Sequence, residues 1–294
     1  MTLLVGCMMA TNAADLLPTS LACLRSCVDE IIVVDGGSID ATKSTAKAMG
    51  ARVIDSPWTG ENYSLQRQVY IDAAIARHGG EDGVWLLVLD SDEVLIGGEP
   101  RTVVNELNRL GMDYARLPRK WLVNTPSGLS YVASRPHYPD FQLRLFRLRS
   151  GLRYTGRIHE VLHGLGSGLD VAAPTILHLD LLRTDVAQRA QKVKRYETLE
   201  PGSGVPRFYL LERYGFILKP VSAGDSIRPY MDGINASTRV VLTDHDLRGK
   251  TLQYHLTWRL MAWWEWGQLK AKRVPRRLKR AGGRFVARKG GGGQ

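Results

Sequence analysis

Two runs of apolar residues constrain the fold of this chain more than any other feature. They are Ile31-Ile32-Val33-Val34, in a strand that begins at Glu30, and Val84-Trp85-Leu86-Leu87-Val88-Leu89, and each is followed by an aspartate. A strand with one face in water alternates apolar and polar residues. A strand apolar at consecutive positions has both faces covered, as in a parallel sheet between helices. Leu3–Met9 and Arg52–Ile54 read as two further strands. Helical segments separate them: Asp15–Ser26, with Leu16, Leu17, Leu21 and Leu24 near helical spacing; Asp40–Met49, stopped by Gly50; and Tyr63–His78, ended by Gly79-Gly80. This alternation predicts an α/β fold with a mostly parallel sheet flanked by helices. After it come a helix over Pro100–Leu110, arginine-containing strands over Asp113–Leu117, Phe141–Leu148 and Thr175–Leu179, and a polar helix over Asp185–Leu199. From Asp246 a long helical segment holds Trp258, Trp263, Trp264 and Trp266.

In an open parallel sheet, ligands bind in the crevice beyond the carboxyl ends of the strands. Here those ends carry Thr11-Asn12, Asp35-Gly36-Gly37-Ser38 and Asp90-Ser91-Asp92-Glu93. Asp40 reads as a helix cap. Asp90 and Asp92 follow six apolar residues, so they stand at the rim of a dry core. Carboxylates two apart in such a place suit a hard divalent cation, which in turn holds a diphosphate.

The stretch from Val28 through Val33-Val34-Asp35-Gly36-Gly37-Ser38 to Thr42 resembles the signature of family 2 glycosyltransferases, which have the GT-A fold. The resemblance runs on through Trp58, Arg67 and Trp85–Glu93 to Leu143–Arg147 and Gly156–Glu160, and fades after His178. Where the family usually shows Lys-Asn-Glu after the first strand, this chain has Thr11-Asn12-Ala13, and after Arg67 it has Gln68 in place of Asn. Similar enzymes, some acting in lipopolysaccharide core assembly, transfer a sugar from a nucleotide donor. The resemblance implies that Asp35 contacts the nucleobase or ribose, that Asp90 and Asp92 hold Mg²⁺ or Mn²⁺ against the diphosphate, and that Glu160 is the general base. Thr11, Asn12, Gly37, Ser38, Arg67, Asp90, Ser91 and Arg147 complete the expected donor site. His178, in the apolar Ile176–Leu179 run, reads either as a core histidine or as a third metal ligand, because GT-A enzymes often supply a late histidine; His159 shares that candidacy.

The chemistry also follows from the residues alone. A sugar diphosphate leaves as an anion, so a cation there stabilises charge that grows in the transition state. The acceptor hydroxyl needs a carboxylate base on the opposite face for inversion. Asp92 with the metal and Glu160 opposite meet both needs, and Asp140 is the next candidate base. Arg144 and Arg147, three apart on a strand, cannot both face the site, and either one could neutralise phosphate oxygens. A rival of another class is His159-Glu160-Val161-Leu162-His163, which matches the H-E-x-x-H signature of zinc hydrolases. That chemistry needs both histidines on one helical face, with His178 or Asp180 as third ligand, whereas Gly156, Gly164, Gly166 and Gly168 crowd the segment.

The net charge of +11 is unevenly distributed. Ten of the 40 Lys and Arg residues lie between Gln268 and Gln294, where no acidic residue occurs, so residues 1–267 carry 30 basic residues against 29 acidic. The four tryptophans followed by ten cations have three readings: a core helix with a solvated tail, a device for docking on an anionic membrane, or a nucleic-acid contact. The last would make the acceptor a hydroxymethylated DNA base, or make the chain a non-enzymatic nucleic-acid binder. Pro275 and Gly282-Gly283 interrupt the run. Three cysteines (Cys7, Cys23, Cys27) are too few for a disulfide framework and point to a reducing compartment. Leu4-Val5-Gly6-Cys7 resembles a lipoprotein box, but only six residues precede the cysteine, so it is read as strand. The expected organisation is a GT-A-like domain over residues 1–180, with a nucleotide-sugar half (1–98) and an acceptor half (99–180). A helical extension (181–267) and a partly disordered basic tail (268–294) follow. The expected place of action is the cytoplasm, at the inner face of the membrane, with a lipid-linked or envelope glycan as acceptor.

Overall fold

The computed structural model describes residues 2–60, 62–79, 82–221 and 228–273, with the side chains of the last helix described as far as Trp264. The apolar runs form what their composition predicts. Strands β1 (Leu3–Ala10), β2 (Glu30–Asp35), β3 (Arg52–Asp55) and β4 (Val84–Val88) lie parallel in the spatial order β4-β1-β2-β3. Helices α1 (Leu17–Cys27), α2 (Thr42–Ala48) and α3 (Tyr63–His78) connect them. Strand alternation sends Leu4, Met8, Val33, Trp85 and Leu87 into the core that contains α1, and Val5, Cys7, Ile32, Val34, Leu86 and Val88 into the core that contains α3. Each fully buried aliphatic side chain here contributes about 2 kcal/mol. A methyl group at Gly6 would stand 2.8 Å from Leu24 Cγ, so α1 reaches β1 over a glycine.

Winding runs outward from β1 to β3 and then jumps back across β1 to β4. The switch point therefore lies between β1 and β4, and a crevice opens beyond their carboxyl ends. The rest of the sheet is built differently. Strands β5 (Glu93–Ile96), β6 (Tyr114–Thr125), β7 (Gly128–Val132), β8 (Asp140–Arg147), β9 (Arg153–Thr155), β10 (Val161–His163), β11 (Gly168–Asp170) and β12 (Thr175–His178) follow, with α4 (Pro100–Leu110) after β5. β8 runs antiparallel to both β4 and β6, so the sheet is mixed, parallel around β1 and largely antiparallel beyond β4. β6 continues to Thr125, eight residues past the end read from the sequence, because its charged residues do not mark solvent: Arg119 pairs inside with Asp140 and Glu93.

The C-terminal part comprises α5 (Asp180–Arg183), α6 (Val186–Leu199), α7 (Pro206–Tyr209), α8 (Leu211–Tyr214), β13 (Leu218–Pro220), α9 (Met231–Ser237), α10 (Asp244–Leu247) and α11 (Lys250–Arg273). A capping box between Asp185 and Gln188 starts α6. β13 joins the sheet antiparallel to β7, so this part is tied to the main body by a strand as well as by helices. α11 is fastened at its beginning, where Lys250 Nζ donates to the Glu212 carbonyl at 3.2 Å and Gln253 Nε2 to the Glu212 and Arg213 carbonyls at 3.0 Å each. Trp263 and Trp264 are 73% and 63% exposed, which corrects the core-helix reading of the tryptophan cluster; the side chain of Trp266 and the tail beyond Arg273 lie outside the described residues. Among the described residues, no helix is long and apolar enough to cross a membrane.

Candidate active site

The crevice at the switch point is a cavity of about 440 Å³. The end of β1 gives it Thr11 and the turn after β4 gives Asp90 and Asp92. α3 contributes Tyr63, Gln66 and Arg67, and β6 and β8 contribute Arg119, Trp121, Asp140 and Arg144. The β9–β10 loop supplies His159 and Glu160, the end of β12 supplies His178, and α6 and α7 close one side with Lys192, Tyr196, Phe208 and Tyr209.

Its floor is a chain of alternating charges. Glu160 Oε1 lies 3.5 Å from Arg67 Nε. Arg67 Nη2 donates to Asp90 Oδ1 at 3.1 Å. Arg144 Nη2 donates to Asp90 Oδ2 at 2.5 Å and to Glu93 Oε1 at 2.7 Å. Arg119 Nη1 reaches the same Glu93 oxygen at 3.2 Å, and Arg119 Nη2 lies 2.8 Å from Asp140 Oδ2. Glu93, fully buried, also accepts the Asp90 N–H through Oε2 at 3.1 Å. Burying so many charges is tolerable only because each carboxylate faces a guanidinium and the acceptors are filled. Burial by itself pushes the Asp90 carboxyl up, but Arg144, then Arg67 and Arg119, pull it well below the usual carboxylate range.

Asp92 is different, because among the described residues it pairs with a histidine and with no arginine. Its Oδ2 lies 3.5 Å from Nε2 of His178, whose buried ring packs against Trp121 with centroids 4.2 Å apart. Burial raises the Asp92 carboxyl; His178 works against the rise, and the neighbouring Asp180 and Asp90 add to it. His178 Nδ1 is buried without a hydrogen-bond partner. Lys192 pairs with Asp180 at 3.0 Å and stands 4.6 Å from the centre of the Tyr209 ring.

The other expected donor residues separate into two groups. Asp35 is fully buried at the end of β2; its Oδ2 accepts from the Gly37 and Ser38 amides, both at 2.9 Å, and its Oδ1 has no partner among the described residues. Thr11 stands against Gly36, where a Cβ would collide with its hydroxyl. Asn12 is committed to structure: it has φ of 49°, its side chain accepts from the Ile39 amide at 3.0 Å, and its own amide donates to Ser38 Oγ at 2.9 Å. Ser91 sits in the turn between the two aspartates. Arg147 does not reach the cavity. It lies on the opposite face of β8, with its guanidinium 4.7 Å from the centre of the Trp85 ring and hydrogen-bonded to Asn108 at 2.6 Å, so Arg144 is the arginine that faces the site. Both oxygens of Asp90 are held by guanidinium groups, of Arg67 and Arg144, an arrangement that Asp92 does not share.

The zinc-hydrolase reading fails on geometry. His159 lies in a loop with φ of 58°, and His163 lies in β10, with Nε2 2.8 Å from Thr155 Oγ1. The two histidines therefore share no helical face, and among the described residues no group of three or more His, Cys, Asp or Glu is placed to hold a metal. Several wall and floor residues were not legible in the sequence. Arg119 and Glu93 look like ordinary strand charges. Lys192 and Tyr196 carry one signal, the four-residue spacing that puts them on one face of α6.

Residues 7–130 match the family model described as glycosyl transferase family 2. A TPR repeat-containing protein of Synechococcus elongatus is 31% identical over 161 residues, which are 53% of this chain and 34% of that protein. An uncharacterized glycosyltransferase of Rickettsia felis is 33% identical over 84 residues, 29% of this chain and 26% of that protein. The chain thus spans about a third of one curated relative and a quarter of the other. Among solved structures, S. aureus TarS 1-349 in complex with UDP is 11% identical with a TM-score of 0.43, over 88% of this chain and 89% of that one. Glucosyl-3-phosphoglycerate synthase from Mycobacterium tuberculosis, in complex with Mn²⁺, UDP and its product, is 22% identical with a TM-score of 0.27, over 41% and 44% of the two chains.

Proposed function

We propose that this chain, whose residues 7–130 match the family model described as glycosyl transferase family 2, moves a sugar from a nucleotide-diphosphate donor to a hydroxyl of a glycan, with inversion and with Mg²⁺ or Mn²⁺. The observation that carries this reading is the convergence of Asp92, His178, Arg67, Arg144, Arg119 and Glu160 on one cavity at the switch point of the sheet.

The donor set suits the metal. Asp92 and His178 would hold it, one oxygen and one nitrogen donor that leave the remaining positions to diphosphate and water. A carboxylate raised chiefly by burial, with neighbouring acids adding to the rise, gains from a cation, and Asp92 is such a carboxylate. When bound, the ion supplies Lewis-acid stabilisation of the charge that grows on the leaving diphosphate. Asp35 would accept from a hydroxyl or N–H of the nucleoside through Oδ1, which has no partner among the described residues; it is itself fully buried, and its neighbour Thr11 is the residue that lines the cavity. Arg67 and Arg144 hold Asp90 and line the cavity, where their guanidinium groups would also meet phosphate oxygens.

Glu160 takes the acceptor proton. Asp140 is a weaker candidate, because its oxygens accept from Arg119, Trp121 and Gln142, at 2.8, 3.1 and 2.6 Å, and these bonds hold its carboxyl below the usual range against burial. Glu160 lies 3.5 Å from Arg67 and, among the described residues, lacks the set of donors that fills Asp140. The rings of Tyr63, Tyr196, Phe208 and Tyr209 offer an acceptor sugar an apolar wall with phenolic tips. A lipid-linked or envelope glycan is the acceptor this reading takes.

The test is a thermal-shift panel of nucleoside diphosphates and nucleotide sugars with Mn²⁺. At least one nucleotide should raise the midpoint by several degrees, and Asp92→Asn should remove the Mn²⁺-dependent part of that rise. No shift with any nucleotide, or a shift indifferent to both Mn²⁺ and Asp92, would refute the reading.

A further inference from the structure

Away from the cavity, α11 carries a second device. The helix grips the body through Lys250, Gln253 and Tyr254, whose hydroxyl accepts the Arg135 amide at 3.3 Å. Along another side Leu252, Leu256, Leu260, Trp263 and Trp264 stand 54–73% exposed. At helical spacing these five fall within about 120° of arc, an apolar stripe interrupted by Gln253 only in the first turn and left more than half exposed by the described residues of the body. At 24 residues, the helix is about 36 Å long.

The sequence continues that stripe into charge. From Gln268 onward it holds ten Lys and Arg residues and no Asp or Glu, while residues 1–267 are close to neutral. A surface that accepts leucines and tryptophans and also carries negative charge satisfies both features. A second copy would bring ten more cations against the first ten, which disfavours pairing. A nucleic acid would satisfy the cations and leave the leucines in water.

We infer that α11 docks the protein on an anionic bilayer, lying in the interface plane with Leu252, Leu256 and Leu260 sunk below the headgroups, Trp263 and Trp264 at their level, and the cations that follow against acidic lipid. The inference stands apart from sugar transfer, since binding is read with neither donor nor acceptor present.

The full chain is tested by co-sedimentation with mixed phosphatidylglycerol–phosphatidylcholine vesicles and with phosphatidylcholine vesicles. Binding is expected to the mixed vesicles, to weaken by about tenfold or more on the neutral ones, and to fall as salt is raised. The double variant Leu256→Glu, Leu260→Glu should lower partition about a hundredfold, roughly tenfold per leucine withdrawn from the apolar layer. Both sites are exposed, so its thermal midpoint should match the parent's. Tryptophan emission should shift to the blue on binding, and Trp263→Phe with Trp264→Phe should remove most of that shift. Failure to bind either vesicle, a glutamate variant that binds as tightly as the parent, or a dimer in solution that the glutamates dissolve would each overturn the inference.

Discussion

Replacing Glu93 by glutamine tests whether the alternating charges of the cavity floor act as one structure. The carboxylate is fully buried and accepts from Arg144 at 2.7 Å and Arg119 at 3.2 Å through one oxygen, and from the Asp90 amide at 3.1 Å through the other. At an effective dielectric of about 20, each guanidinium contact is worth ~5–6 kcal/mol of Coulomb energy. Removing the charge also removes the several kcal/mol of desolvation that the carboxylate suffers, which is why breaking such a pair costs about 3–5 kcal/mol net. Glutamine cannot recover the hydrogen bonds either. It has one acceptor oxygen where two are used, so its NH₂ must point at the Asp90 amide or at the guanidinium groups, donor against donor. The loss should therefore be about 4 kcal/mol, or a fall of roughly 8–16 °C in the thermal midpoint of a chain this size. Differential scanning calorimetry of parent and Glu93→Gln measures it. Glu106→Gln is the control: that residue is exposed and pairs with Arg109 within one helix, so its loss should leave the midpoint within about 1 °C. A Glu93→Gln midpoint within about 2 °C of the parent's would show that the arginines do not depend on this carboxylate.

His137 gives a pH signature. It is buried, its Nε2 donates to the Phe208 carbonyl at 2.8 Å, its Nδ1 has no partner, and burial lowers its pKa to about 4. Below pH ~6.5 the unfolded chain takes up a proton that the folded chain refuses until about 4, so stability falls across that window by roughly 3 kcal/mol. In urea titrations at several pH values, His137→Gln should be less stable than the parent near pH 7 and lose less as the pH drops. Glu160→Gln should lower kcat by about a hundredfold or more with little change in donor binding, whereas a larger loss for Asp140→Asn in initial-rate assays would move the base to Asp140. Gly36→Ala should cost about 1–3 kcal/mol in chemical unfolding, because the added methyl meets the Thr11 hydroxyl, and Thr11→Ala in the same chain should restore part of it.

The parallel half of the fold was legible because its physics is local. Consecutive apolar residues in β1, β2 and β4 need cover on both faces, and helices between them announce their ends by Gly50 and Gly79. The acidic ends of those strands located the cavity. What stayed hidden depends on distant partners. β6 passes Leu117 because Asp140 and Glu93 neutralise Arg119, from 21 and 26 residues away in sequence. Arg144 and Arg147 could not be ranked from spacing alone; the strand's neighbours decided it, acids on one face and Trp85 on the other. α6 read as a polar helix because Lys192 and Tyr196 face a polar cavity, a use of polarity that composition cannot tell from solvent exposure.

The floor explains why one aspartate of the Asp90–Asp92 pair is suited to a cation and the other is not. Four carboxylates (Glu160, Asp90, Glu93, Asp140) share three arginines, and Asp90 sits between two of them. A cation brought to Asp90 would compete with guanidinium groups already in place and add repulsion from both. Asp92 lies two residues further, beyond the reach of those arginines, and burial among like charges already disfavours its ionised form. The floor's carboxylates outnumber its arginines by one before Asp92 is counted, and a divalent cation at Asp92 would offset part of that surplus and of the charge of an entering diphosphate. On this reasoning Asp90→Asn and Asp92→Asn are not equivalent. The first should loosen Arg67 and Arg144 and lower stability, and the second should leave the fold intact, or slightly more stable, and abolish the response to metal. Calorimetry with and without Mn²⁺ separates the two, and identical behaviour of both variants would show that the aspartates act as one metal-binding pair.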